Sequence, residues 1–388
     1  MSSESHVEPR ASPRLPNELA DRVIDDLHGE PRVLANCTLV CRAWVPAAQR
    51  NLFSKLTIHE HNCAEIVQHL TSATTNIAGY VKRLRAFLWG DLRVNLDRRM
   101  AIPAPLLNAF IPQISNFKNV TMLELDGCRL FHEEIWDKTW TDHLASVFPS
   151  LRQLDVGHIA FENVADLVDL VSSFSSLTHL TASELDFTDA SHEFSNEPQE
   201  PYPGSKIPPQ TLQYVNYSSG GTFASGGGPF LSWLASGHQA MSTLILDLDA
   251  EAGDVNAGVE LIGAAGHNLK VLHLNFSDQW QLWEGLEFSV HDTLRLLDLR
   301  SVADFGDSLV DILETVKSPL EHLILGGMHE LEEGLWTSLI DLLMSPSFAS
   351  LTKVDFYAGG GDHGEELKNK VSDEFPEFFE RRIAAFGD

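Results

Sequence analysis

Apolar and polar positions follow one another along this chain in a recurring six-residue phrase, Leu-x-x-Leu-x-Leu, whose plainest copy runs from Leu294 through Leu297 to Leu299. Looser copies start at Val120, Leu151, Leu177, Leu212, Met241, Leu269, Leu320 and Leu351, each 25 to 35 residues from the next. Two degenerate ones precede them, Phe53-x-x-Leu56-x-Ile58 and Val81-x-x-Leu84. One such phrase carries no weight; nine in phase do. Between the phrases, apolar residues recur at helical spacing, as in Val164, Leu167, Val168 and Val171, in Leu309, Ile312, Leu313 and Val316, and in Leu335, Leu339, Leu342 and Leu343. Short strand alternating with helix predicts parallel pairing. Because each unit needs a neighbour to bury its apolar face, the pattern predicts a stacked α/β solenoid over residues 57–360, with parallel strands on a concave face and helices on a convex one. Changing Leu272 or Leu297 to Asp is expected to unfold it locally.

Ahead of the array the period is helical throughout. Residues 1–11 are polar and read as disordered. Within 12–56, Pro16 suits a helix entry, and Leu19, Val23 and Leu27 fall on one face before Gly29. Pro31 opens a second helix with Val33, Leu34, Cys37, Val40 and Cys41 as its stripe. Trp44, Ala47, Ala48 and Leu52 continue into a third, with Pro46 in its first turn. Ile24 and Leu39 lie off these stripes. The apolar surface they leave docks either on the repeats or on another protein. Two insertions, 190–210 and 218–228, are rich in Pro or Gly and read as loops. After Gly359-Gly360-Gly361, residues 361–388 read as a charged helix whose Val371, Phe375, Phe378, Phe379 and Ile383 cap the open end.

The residues of the N-terminal segment carry a resemblance. Leu15-Pro16-x-Glu18-Leu19, Ile24-x-x-Leu27, Pro31, Leu34-x-x-Cys37-x-x-Val40-Cys41-Arg42-x-Trp44 and the closing Leu52-Phe53 resemble an F-box, in the form common in fungal proteins. With the array behind it, whose period is that of leucine-rich repeats, the chain resembles F-box proteins with C-terminal leucine-rich repeats. The resemblance implies a module that holds the adaptor Skp1 and through it a cullin-based ubiquitin ligase. It also implies that Leu15, Pro16, Leu19, Ile24, Val40 and Arg42 contribute to the Skp1 surface.

Charge changes the picture of the array more than composition does. The formal net charge is -28, and residues 1 to 60 hold seven Lys or Arg against eight Asp or Glu, so almost all of the excess lies in the repeats. That sign repels nucleic acid and anionic lipid, and no run of eighteen apolar residues offers a membrane span. Four cysteines without a C-x-x-C pair suit a reducing, intracellular compartment, cytoplasmic or nuclear.

In each phrase the x positions face the concave side. That face is expected to present Glu124, Asp126, Asp155, His179, Tyr214, Asn216, Asp247, His273, Asn275, Asp298, Arg300, His322, Asp355 and Tyr357. A target protein with a basic patch would complement it; each residue read singly is also an ordinary solvated strand side chain.

Chemistry finds less support. His179, His273 and His322 come from separated repeats, and His59, His61 and Cys63, read as alternating on a strand, spread over about 13 Å, so no metal site is expected. Gly220-Gly221 and Gly226-Gly227-Gly228 lack the Lys-Ser or Lys-Thr of a phosphate loop. No nucleophile elbow, zincin helix or dinucleotide fingerprint occurs, and neither a catalytic residue nor a cofactor is expected. Two functions follow: a ligase substrate receptor, or a free-standing acidic scaffold or inhibitor that binds a basic protein outside any ligase.

Overall fold

The structure, a computed structural model, describes residues 16–71, 77–87, 114–127, 136, 138–187, 206–219, 227–237, 240–248, 252–276, 285–300, 308–328, 331–357, 363–381 and 383–387. Its strands are β1 Lys55–Ile58, β2 Arg83–Phe87, β3 Met122–Asp126, β4 Gln153–Gly157, β5 Ala160–Phe161, β6 His179–Ser183, β7 Asp186–Phe187, β8 Tyr214–Ser218, β9 Thr243–Leu248, β10 Val271–Phe276, β11 Leu296–Arg300, β12 His322–Gly326, β13 Lys353–Tyr357 and β14 Ile383–Gly387. All but β5 and β7 join one sheet in chain order, and every pairing is parallel. β5 and β7 form a second, two-stranded sheet.

Each of the nine clear phrases opens two residues before its strand, and the opening residues, from Val120 to Leu351, are all 1% exposed or less. Their fourth and sixth residues, such as Leu272 with Leu274 and Leu297 with Leu299, are buried as well, in one continuous core shared with the helices. Burying such a side chain stabilises by roughly 1.5–3 kcal/mol, and the repetition makes the array one cooperative wall of aliphatic groups.

The residue just after each opener ties the rungs together through its backbone. Lys82 O accepts from Thr121 N and Met122 N, Arg152 O from Thr178 N and His179 N, and Lys270 O from Arg295 N and Leu296 N. The same double acceptance recurs from Ser54 to Glu321. Register is therefore pinned by backbone at the start of each main-sheet strand from β2 to β13.

Helices Val164–Ser172, Gly228–Ala235, Ala252–Ala265, Ser308–Glu314 and Glu333–Met344 pack on the core side of the sheet. Asn163 caps the first of them, its side chain accepting from Asp166 N at 3.2 Å. A helix needs about 10 Å of width where strands need about 4.8 Å, so the layer of helices spreads and the strand face becomes the inner one of a solenoid of the leucine-rich-repeat kind. Gly227, just ahead of the helix Gly228–Ala235, lies where a Cβ would meet the Tyr217 hydroxyl at 1.8 Å. Gly228 N donates to Asp254 Oδ1 at 2.5 Å in the same place.

The N-terminal segment folds as three helices, α1 Asn17–Asp26, α2 Pro31–Val40 and α3 Val45–Leu52, around a small core of its own: Ile24, Leu34, Cys37, Ala47 and Ala48, with Leu27, Trp44 and Leu52 against it. Asp25 ties α1 to α3, accepting from Arg50 at 3.1 Å and from Asn51 at 2.6 Å.

Three expectations are corrected here. The face of α1 that packs inward is Ala20, Ile24 and Leu27 rather than Leu19, Val23 and Leu27, because the inward side is crowded by Ala47 and Ala48 and accepts a small residue beside Ile24. His59 to Cys63 do not alternate on a strand: β1 ends at Ile58 and a helix, Glu60–Thr71, begins, with Asn62 accepting from His59 N at 2.9 Å.

The C-terminus is not one capping helix. Helices His363–Glu374 and Pro376–Arg381, separated at Pro376, lead into β14, which pairs in parallel with β13, so Ile383 belongs to a strand. The apolar Val371 and Phe378 do pack into the main core. Of the predicted loops, 190–205 and 220–226 lie outside the described residues; Ser218 and Gly228, at the ends of the second, belong to β8 and to the following helix. No helix among the described residues is long and apolar enough to cross a membrane.

Candidate functional site

Strand register places the fourteen predicted concave residues on one face, the one turned away from the helices, in three rows. His179, Tyr214 and His322 stand at strand starts. Glu124, Asp155, Asn216, His273, Asp298 and Asp355 form the middle row, and Asp126, Asp247, Asn275, Arg300 and Tyr357 the far one. Alternation along each strand explains this: the leucines take one face and the residues between them the other.

The charges on this face are arranged in depth. Asp298 is 3% exposed and accepts from His273 Nδ1 at 2.8 Å and from Arg300 Nε at 2.7 Å and its second nitrogen at 3.0 Å. Burial works to raise its pKa, but the His273 and Arg300 hydrogen bonds outweigh it and hold the carboxyl below the usual range. Arg300, so braced, lies 4.7 Å from the centroid of the Tyr357 ring. Asp355, 4% exposed, receives His322 Nε2 at 2.7 Å and Lys353 Nζ at 2.5 Å. At the other end of the sheet Glu124 lies beneath Arg83 at 3.3 Å and Arg85 at 2.8 Å, while Arg85 also reaches Asp126 at 2.9 Å.

Asp298 and Asp355 are therefore internal braces rather than groups held out to a target. Both were expected on the presented surface; the longer His273, Arg300, His322 and Lys353 side chains that pair with them close over them, which is the reason they are not. What reaches solvent above them is Arg300, His273, His322 and Lys353.

Asp155 differs from them. Burial, together with the repulsion of Glu124 and Asp126, pushes its pKa up to about 6 against the pull of Arg85 and Arg83. Between these ends the face is mostly polar and uncharged, with Asp247 its one carboxylate among the described residues. His179 stacks on Tyr214 with centroids 5.5 Å apart, and Asp247 is held by Ser218 Oγ at 3.2 Å and Asn275 Nδ2 at 2.8 Å.

Counted over the open face of β1 to β14, six carboxylates (Glu124, Asp126, Asp155, Asp247, Asp298 and Asp355) meet five cations (Lys55, Arg83, Arg85, Arg300 and Lys353). The excess of -28 thus lies away from this face, on helices and connections. An acidic concave surface complementary to a basic target is the expectation this overturns. Arg83, Arg85 and Lys353 went unread because the first two stand on the degenerate Val81-x-x-Leu84 phrase and the third fills a slot read only for its neighbours. Among the described residues no group of three or more His, Cys, Asp or Glu could hold a metal ion.

The second feature is apolar. Seven large hydrophobic side chains are exposed among the described residues, and five of them, Leu19, Val23, Val33, Leu39 and Val40, belong to α1 and α2. Leu39 is 83% and Val40 61% exposed. Of the predicted adaptor contacts, Pro16, Leu19, Val40 and Arg42 are exposed, and Leu15 lies outside the described residues. Ile24, 1% exposed, belongs to the small core and is withdrawn from that set. Val23, Val33 and Leu39 are exposed beside the remaining ones; Leu39 is legible as an apolar residue off its helix's stripe, whereas Val23 and Val33 count among the predicted stripes themselves.

No family model matches the chain, and no curated protein does. Among solved structures it is similar to the crystal structure of a Rad7 and Elc1 complex in yeast, with a TM-score of 0.45 and 16% identity, over 93% of this chain and 86% of that one.

Proposed function

We propose that this protein is the substrate-recognition subunit of a Skp1-cullin-F-box type ubiquitin ligase, with α1 to α3 acting as an F-box and the open face of the sheet holding a target protein. The observation that carries the reading is the gathering of exposed apolar side chains on α1 and α2, where the other large hydrophobic residues among the described ones are almost all covered. Leaving five such groups in water has no structural return, since the small core of α1 to α3 is complete without them. A protein of the Skp1 kind is the partner that the F-box resemblance implies. The receptor carries out no chemistry of its own; it raises the effective concentration of target lysines near a ubiquitin carrier brought by other subunits.

The test is co-purification of the full chain with a Skp1-like adaptor, repeated with Leu39→Glu and Val40→Glu. Both substitutions are on exposed positions and should leave the fold intact, which circular dichroism checks, so loss of the adaptor reports on the surface alone. Cys41, exposed beside Val40, supplies a footprint: a thiol reagent should label it in the free chain and fail to do so in the complex. Association that survives both substitutions, or no association from the start, refutes the reading.

A further inference from the structure

Parallel pairing in chain order brings all strand starts to one edge of the sheet, and the charges there run against the rest of the molecule. At the position whose backbone carbonyl links the rungs, the charged residues are Lys82, Arg152, Lys270 and Arg295, with Glu321 as the one acid among the described residues. The next position, the first of each strand, adds Lys55, Arg83 and Lys353 and no acid. Eight charged positions drawn from a chain with 27 Lys or Arg and 55 Asp or Glu would hold about three cations. Here seven of the eight are cations.

The arrangement keeps these heads in solvent. Because the carbonyls of the linking position point along the sheet to the next rung, their side chains leave the edge outward, and Lys82, Arg152, Lys270 and Arg295 are exposed. Lys82, Arg152 and Lys270 form no ion pair with any described residue. At the β2 end the stripe runs into a cleft of about 410 Å³ lined by Arg50, Gly79, Tyr80, Lys82, Asn119 and Thr121, whose two cations are Lys82 and Arg50, the latter paired with Asp25 at 3.1 Å. The cleft lies between α3 and the first rungs of the array, so the stripe begins where the N-terminal helices join the sheet.

We propose that this edge is a docking track for an acidic, extended polypeptide segment of a partner protein. The proposal deepens the reading of the open face as the target-binding surface and names the chemistry it selects. From β2 to β11 the cations span seven strand spacings of about 4.8 Å, the reach of about ten residues of extended chain, with the uncharged Thr178, Gln213 and Ser242 between Arg152 and Lys270. A single polypeptide strand is narrow enough to stay on the edge. A nucleic acid duplex is not: it would lie over Glu124, Asp126, Asp155 and Asp247 on the same face and meet the field of a chain with net charge -28. The depth of the ion pairs supports the same choice, since over Glu124, Asp298 and Asp355 the cationic partners are the more exposed members.

Fluorescence anisotropy on the full chain tests this with three labelled probes: a ten-residue peptide of alternating Asp and Ser, its Lys and Ser counterpart, and a ten-nucleotide single-stranded DNA. The acidic peptide should bind at least about tenfold tighter than either of the others and weaken about tenfold as salt rises from about 0.05 to 0.3 M. The triple variant Lys82→Ala, Arg152→Ala, Lys270→Ala should lose at least about tenfold in affinity, its thermal melt unchanged because these side chains brace nothing. Equal binding by that variant, tighter binding of the Lys peptide, or tighter binding of the DNA would overturn the proposal. The assay contains no adaptor, and the Leu39→Glu, Val40→Glu chain should bind the acidic peptide normally. Failure here and failure of the adaptor test are thus separate results.

Discussion

Replacing Asp155 by Asn removes a charge that the folded array tolerates poorly. Its carboxyl is partly covered and stands next to Glu124 in the strand register, with Asp126 close by, and these surroundings move its pKa from the usual 3.8 to about 6. Taken whole, a shift of that size corresponds to about 3 kcal/mol of lost stability once the group is ionised. Water still reaches the carboxyl and screens it, which brings the figure to about 1–2 kcal/mol. The sign follows from the raised value: the penalty is absent below the unfolded pKa, grows as pH rises from 3.8, and is complete above about 6.

Hydrogen exchange is the suitable assay, because a repeat array opens locally and a single melting temperature dilutes the effect. At about pH 7.5 the backbone amides of β3, β4 and β6 in Asp155→Asn should exchange about 5–30-fold more slowly than in the parent chain, the ratio that about 1–2 kcal/mol implies. Near pH 5, midway through the window, about half of that free-energy gain should remain. Unchanged exchange at the higher pH refutes the account of the site, and so does a gain that is the same at both pH values, since that would come from packing rather than charge.

Other predictions follow from single contacts. Asp298→Asn leaves His273 and Arg300 short of a charged acceptor and should cost about 1–3 kcal/mol by denaturant titration. Because the Asp298 pKa is lowered in the folded chain, its contribution is present above the usual 3.8 and lost as pH falls through the lowered value, so the variant should show a shallower acid limb. Leu272→Asp places a carboxylate in a fully buried slot and should open neighbouring rungs to limited proteolysis, costing more than about 4 kcal/mol. Gly227→Ala drives a Cβ into the buried Tyr217 hydroxyl and should destabilise by about 1–3 kcal/mol in the same titration. Thiol labelling of the native chain should modify Cys41 quickly and spare Cys37 and Cys63, the latter also held protonated by burial, until denaturant is added.

The parts of this protein that repeat could be read in advance; of the parts that occur once, the three N-terminal helices could be, but not which of their faces is inward. Nine phrases in phase located every strand from β3 to β13 in the main sheet, because a leucine at a fixed offset has one physical use, to be buried on a shared wall. In α1 the same reasoning failed: both Leu19-Val23 and Ala20-Ile24 are apolar pairs at helical spacing, and periodicity cannot say which of two apolar faces meets the core and which meets a partner. The stretch from His59 to Cys63 has polar residues whose spacing suits strand and helix alike. At the C-terminus, Pro376 divides the helix, and Ile383–Gly387 is too short to declare itself without β13 to pair with. The open face was legible as a list of residues but not as a charge distribution, because depth depends on which rung lies beside which.

The position of β14 has a bearing on how the molecule behaves among its own copies. Five residues, Ile383–Gly387, cover the last row of backbone N–H and C=O groups on β13. Without them β13 would offer a bare parallel edge, a template on which any extended chain can add itself. A protease cut that released Ile383–Gly387 would therefore bare the β13 edge to pairing with another copy of the chain.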